Sequence, residues 1–381
     1  MKCFAHAALL TALLIGLTVG ATNRANAAEK STSNKIQRLL YVTVPDGAAA
    51  GVTRGQGILI YDIDNGHKLL RQIDIPDIGG TRGVCASAET NKLYYSHSRN
   101  KLVCMDLITD KRLWEKSYEK SEGGCDRIEI LPDGSRLYVP SGWWSEYPYW
   151  KVIDGADGHL IDEVKVAAGA HDTICSHDGR YIYCGCTKFN MFSVIDTTTN
   201  TVVKQAGPHS GVIWPFSVNG AGTIGYINVD HFVGFEICDL RSGKVLHKVR
   251  VEGLEDQVRR CHGIGLTPDE KEVWLVDQEI HKLYVYDATV MPPKMKMEIN
   301  TAEKTHGWIT FSIDGQYAYP DTGDIIDTKT KEIVATLTDA DGQRICSSKF
   351  VEIQFLDGDP IRIGSQQAVG RVYPPTGSST Q

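Results

Sequence analysis

The sequence predicts an all-β protein, a seven-bladed β-propeller whose ring is closed by N- and C-terminal strands sharing blade 1. Three observations predict it. A β-rich run ending in Asp, then a polar turn, then another β-rich run recurs seven times, as in ILIYDIDNGHKLLRQIDI, KLVCMDLITDKRLWEKSY and GFEICDLRSGKVLHKVRV. The closing aspartates are Asp62, Asp106, Asp154, Asp196, Asp239, Asp287 and Asp327, at intervals of 40 to 48 residues. Between copies lie shorter hairpins with their own turns, such as ILPDGSRLYV, CSHDGRYIYC and SIDGQYAYP. Four short strands in about 40–45 residues, joined by Asp, Gly and Asn turns, make one propeller blade. Finally, no mature segment carries a helical period longer than a turn or two.

Taken in chain order, the elements are as follows. Residues 1–27 read as a cleaved secretory signal: Lys2, an apolar run from Ala7 to Val19, and Ala25-Asn26-Ala27 as the cleavage site. The apolar run is too short to anchor the chain in a bilayer, and no later segment is long and apolar enough to span one. The expected product is exported, periplasmic or extracellular, and not membrane-spanning. The propeller is expected over 28–371. Its first strand, RLLYVTV, matches the second strands of other blades, so blade 1 lacks its own innermost strand. The C-terminal SSKFVEIQF supplies that strand, because an open ring would leave an unpaired edge. FLDGDPIRIG allows a second C-terminal strand, and residues 372–381 read as a flexible tail.

The motifs SRLYV, LPDG and VIDTTT resemble the repeats of the YVTN family of bacterial β-propellers. The segments HGIGLTPDEKEVWLVD, YDATVMPP and WITFSIDGQYAYPDTGDIIDTKTKEIVATL are similar to an exported subgroup with 40-residue YVTN-type repeats. The resemblance covers nearly the whole mature chain. It implies the fold and export, and no chemistry, since propellers host unrelated functions.

Composition narrows the functional classes. Without Lys2 and Arg24 the chain keeps 38 basic against 47 acidic residues, a net charge of −9, and no basic patch stands out. A nucleic-acid partner is therefore not expected. Nine cysteines remain, an odd number, and most read as small core residues. There is no G-x-S-x-G, P-loop, dinucleotide fingerprint or C-x-x-C-H.

Blade topology places the candidate site. The PDG-type turns form one plain face, and the irregular loops gather on the other, where a propeller binds. Counting back from the first turn of each blade puts Arg82, Asp126, His171, Val212 and His262 in one register at the channel mouth, with His306 one residue out of step. Gly83, Gly263 and Gly265 fit strands packed tightly around the axis. Trp143 and Trp144 are candidate ligand contacts, and Trp214 is placed to wall the channel. Tyr149 and Trp150 read as core, His97 and His231 as surface residues.

Three functions are compatible with this ring. It binds a small molecule, glycan or protein through Arg82, Asp126, His171, His262, His306, Trp143, Trp144 and Trp214. Alternatively it belongs to a metal-assisted hydrolase or lyase, lactonase-like, with His171 or His262 as the general base. Or it serves a redox propeller in which His171, His262 and His306 hold copper or a non-covalent haem. Nothing in the sequence requires a cofactor, and the repeated His-Gly is equally explained as a structural feature of the blade.

Overall fold

The computed structural model describes residues 35–44, 57–303, 307–346 and 349–372. The expected signal segment, His306, most of the loop before the third strand of blade 1, and residues 373–381 lie outside them. Among the described residues the fold is a seven-bladed antiparallel β-propeller with only two short 3₁₀ turns. No helix among the described residues is long and apolar enough to cross a membrane.

Six of the blades are four-stranded sheets and blade 1 has five strands. The seven aspartates identified in the sequence all end the third strand of their blade, where the chain turns into the fourth. In each case a carboxylate oxygen accepts the N–H two residues on: Asp64 N to Asp62, Ile108 N to Asp106, Ala156 N to Asp154 and Thr198 N to Asp196. Arg241 N to Asp239, Thr289 N to Asp287 and Lys329 N to Asp327 complete the set. These side chains substitute for a backbone acceptor in the turn, which is why Asp recurs there.

Burial follows from the radial stacking of blades. The inner strands are covered on both faces by neighbouring sheets and read as continuous apolar runs, such as Gly57–Asp62 and Lys101–Asp106. The outermost strands have one wet side, and Lys244–Arg250 alternates exposed and half-buried residues. The core is thus a set of layers between blades. One unites Tyr41, Ile58, Ile60, Val84, Tyr95 and Val351 between blades 1 and 2. Another joins Leu40, Leu59, Trp308, Tyr319 and Phe350 between blades 1 and 7. Each fully buried Leu or Ile there contributes about 1.5–3 kcal/mol.

The ring closes as expected. Lys349–Leu356 pairs with Gln37–Val44, Val351 opposite Tyr41, as the strand that the N-terminal part of blade 1 lacks. The C-terminus also contributes the second strand the sequence had left open. Asp359–Ile363 adds to the axial side of Lys349–Leu356, giving blade 1 five strands.

Beyond it the chain does something the sequence did not announce. Residues 364–371 run through the channel and bond to every other blade. Gln366 accepts from Val84 N (3.0 Å) and donates to Ile128 O (2.6 Å), reaching blades 2 and 3. Gln367 donates to Asp172 of blade 4 (2.8 Å). Ala368 O accepts from Ser217 Oγ of blade 5 and Leu266 N of blade 6. Trp308 Nε1 of blade 7 donates to Gln366 O at 2.9 Å. The segment is a plug. Gly265 makes room for it: a Cβ there would lie 2.4 Å from the Cβ of Ala368. Gly263 and Gly83 have the tight surroundings expected, with Gly307 O and Ile128 N respectively in the way of a side chain.

Two smaller points complete the comparison. The nine cysteines among the described residues are free thiols, eight buried and Cys175 half-buried. His97, expected at the surface, is fully buried, because its Nδ1 accepts the Gly79 N–H at 3.0 Å and folds the imidazole under the loop before blade 2. His231 is exposed, as expected, in a left-handed turn.

Candidate functional site

The channel mouth is shaped by breaks in the innermost strands. Pairing shifts between Thr81 and Gly83, between Ala170 and Asp172, and between Ile213 and Phe216. Each is a β-bulge, which turns the extra residue out of the ladder. The residues so released are Arg82, His171 and Trp214. The register count had put Val212 in blade 5's place; the bulge over Trp214 and Pro215 gives that place to Trp214 instead. His262 and Trp308 complete the wall from blades 6 and 7. His171 lies 5.6 Å from Trp214 and 6.3 Å from His262, ring centre to ring centre, and His262 lies 6.2 Å from Trp308.

Asp126 organises this wall. Its Oδ2 lies 2.8 Å from His171 Nδ1 and accepts the Trp143 N–H at 3.2 Å. The carboxylate therefore orients the imidazole, Nδ1 toward Asp126 and Nε2 toward the channel. Through Trp143 it also ties the aromatic loop after blade 3's second strand to the ring. Burial pushes the Asp126 carboxyl upward, but His171, Arg82 and Arg127 outweigh it and hold its pKa below the ordinary value. Asp172, also fully buried, goes the other way: desolvation raises its pKa despite His171 and Arg127. His262 is neutral, its pKa driven well below 6.5 by burial and by Arg127, His171 and Arg260.

Arg127 was missed in the sequence reading. The register count selects its neighbour Asp126, and nothing in the letters separates the two positions. Its guanidinium is fully buried, stacks 4.0 Å over Trp308, donates to Arg82 O at 2.9 Å and stands 3.7 Å from Asp172. Gln366 and Gln367, likewise missed, floor the mouth.

The ring holds hydrogen-bonding capacity that no protein group meets. Arg82 Nε, Asp126 Oδ1, Arg127 Nε and Nη2, His171 Nε2 and Trp214 Nε1 are buried without a hydrogen-bond partner. A buried polar atom left unmatched costs about 1–3 kcal/mol. Atoms of this kind at one end of a channel are positioned to hydrogen-bond with a polar ligand or ordered water.

Trp143 and Trp144 adjoin this ring. Their rings meet edge to face at 5.8 Å, and the Arg99 guanidinium lies 5.8 Å from one and 5.0 Å from the other. Arg82 stands 5.1 Å over Trp144, linking the ring to a groove of about 570 Å³ lined by Arg99, Tyr118, Lys120, Trp144 and Tyr147. Trp150 is core, its Nε1 donating to Thr173.

As for metals, the only trio of potential ligands among the described residues whose donor atoms lie within 4.8 Å of one another is Asp154, Asp157 and His159, in a turn of blade 3. It is remote from the channel in character: Asp154 is half-buried, Asp157 and His159 exposed, and Asp154 Oδ1 and Asp157 Oδ1 already accept turn N–H groups. His171 and His262 face one another without a third described ligand at that spacing.

No protein-family model matches the chain, and no curated protein matches it. The site's chemistry must be read from its own residues.

Proposed function

We propose that this is an exported, YVTN-type propeller that binds a small polar ligand at its channel mouth, with the Trp143–Trp144 groove as the adjoining surface. The observation that carries this reading is the set of buried, unmatched atoms on Asp126, Arg127, His171 and Trp214, directly above the plug. The plug supports it, because a floor converts an open channel into a one-ended site. Thermal-shift screening of neutral and anionic small metabolites, repeated on an H171N/W214F variant, tests it. A compound that stabilises the wild type and loses most of that effect in the variant is the expected result. If no compound's shift depends on these two residues, the reading fails.

The Asp126–His171 pair favours a second reading, a hydrolase or lyase in which His171 Nε2 accepts a proton. Turnover of lactone or ester substrates by the wild type, abolished in H171N with binding retained, would select it over simple binding.

A further inference from the structure

The unmatched atoms of the ring differ in kind, and the difference says what they recognise. Four are N–H donors that no protonation change removes: Arg82 Nε, Arg127 Nη2, Trp214 Nε1 and Arg127 Nε, the last facing the Asp172 carboxyl at 3.7 Å. One, Asp126 Oδ1, is an acceptor. His171 Nε2 is the sixth, and it acts as an acceptor while Nδ1 carries the proton toward Asp126. A neutral polyol brings hydroxyls that both give and take, and matches such a lining poorly. A carboxylate only accepts, and pairs well with guanidinium and indole N–H groups. The two remaining acceptors suit one hydroxyl or amino group carried by the same molecule.

The ring carries buried charge of both signs. Arg82 and Arg127 face Asp126 and Asp172, all four at most 3% exposed, while Arg260 stacks 3.7 Å over Trp214 and the buried Lys349 lies 5.1 Å from Trp308. A carboxylate can sit on the guanidinium N–H groups left over. The walls include two indoles, Trp214 beneath Arg260 and Trp308 beneath Arg127, which leaves room for no more than a short carbon chain.

We infer that the ligand of the channel mouth is a small hydroxy- or amino-carboxylate, bound through a single carboxylate. Its carboxylate lies against Arg82, Arg127 and the Trp214 N–H, and its hydroxyl or amine on Asp126 Oδ1 and His171 Nε2. This deepens the binding reading and depends on it.

The test uses the full chain and six probes: glycolate, glycine, acetate, acetamide, glycerol and inorganic phosphate, titrated by tryptophan fluorescence and calorimetry. Such small probes bind at about millimolar strength. Glycolate or glycine should bind at least tenfold more tightly than acetate, and acetamide, glycerol and phosphate should bind more weakly still. R82Q and W214F should each weaken glycolate or glycine binding tenfold or more, with unchanged melting temperature as the control for folding. Should R82Q unfold, W214F alone decides. Acetamide or glycerol binding as well as glycolate would overturn the carboxylate while leaving the site in place. Phosphate binding best would likewise overturn the carboxylate. If none of the six binds and the metabolite screen finds no ring-dependent ligand, the site itself falls with it.

Discussion

Gln366 lets the role of the plug be measured. Its side chain spans blades 2 and 3, accepting from Val84 N at 3.0 Å and donating to Ile128 O at 2.6 Å, and it is 1% exposed. Replacing it by Ala leaves both backbone groups buried and unmatched, at about 1–3 kcal/mol each. Water entering the vacated space would recover part of this, so Q366A should lose about 2–5 kcal/mol. Q366E separates the two bonds. A carboxylate still accepts from Val84 N but cannot donate to Ile128 O, and it brings a buried charge, so Q366E should cost at least as much as Q366A. Equilibrium urea unfolding followed by tryptophan fluorescence reads both, with the denaturant slope as a check that the transition is unchanged. A loss below about 1 kcal/mol in both variants would show that the glutamine does not join the blades, and the plug would then be an incidental passage of the chain.

Three further outcomes follow from the same geometry. G265A drives a Cβ to 2.4 Å from that of Ala368 and should cost about 1–3 kcal/mol; A368G in the same chain should restore most of it, and failure to do so in urea unfolding would refute the contact. D106A removes the acceptor for the N–H groups of Ile108 and Thr109 and should cost about 1 kcal/mol without changing the circular dichroism of the sheet. Acid should remove the stability that two buried histidines contribute. Burial holds the pKa of both His67 and His97 down to about 4, so between pH 6.5 and 4 the unfolded chain binds protons there that the folded one refuses. Their contribution is fully present above pH 6.5 and is lost toward pH 4, by at most about 3 kcal/mol for each histidine, while Glu129, its pKa raised to about 8 by burial, acts in the opposite direction. H97N, whose amide oxygen can still accept the Gly79 N–H, should flatten that slope in urea unfolding at stepped pH, and an unchanged slope would count against His97.

The sequence by itself determined the architecture of this protein, because blade formation is a local matter. Each Asp62- or Asp327-type turn is set by a carboxylate reaching two residues on, each strand by apolar residues adjacent in the chain, and seven copies leave one arrangement that buries all of them. Closure was legible for a related reason, since a half-blade at each end has only the other half to pair with. The site was legible in address and not in composition. Arg82, His171, His262 and Trp214 do gather at the channel mouth, yet Arg127 was overlooked, Val212 took Trp214's place in the count, and Asp126 was not recognised as the partner of His171. Those facts rest on β-bulges and on contacts between residues 45 apart, which only the packing of one blade on the next decides. The plug lies furthest from the letters. Nothing in GSQQAVG marks it, because its bonds go to seven blades assembled from the whole chain, and its fit depends on an axis that exists only when the ring has closed.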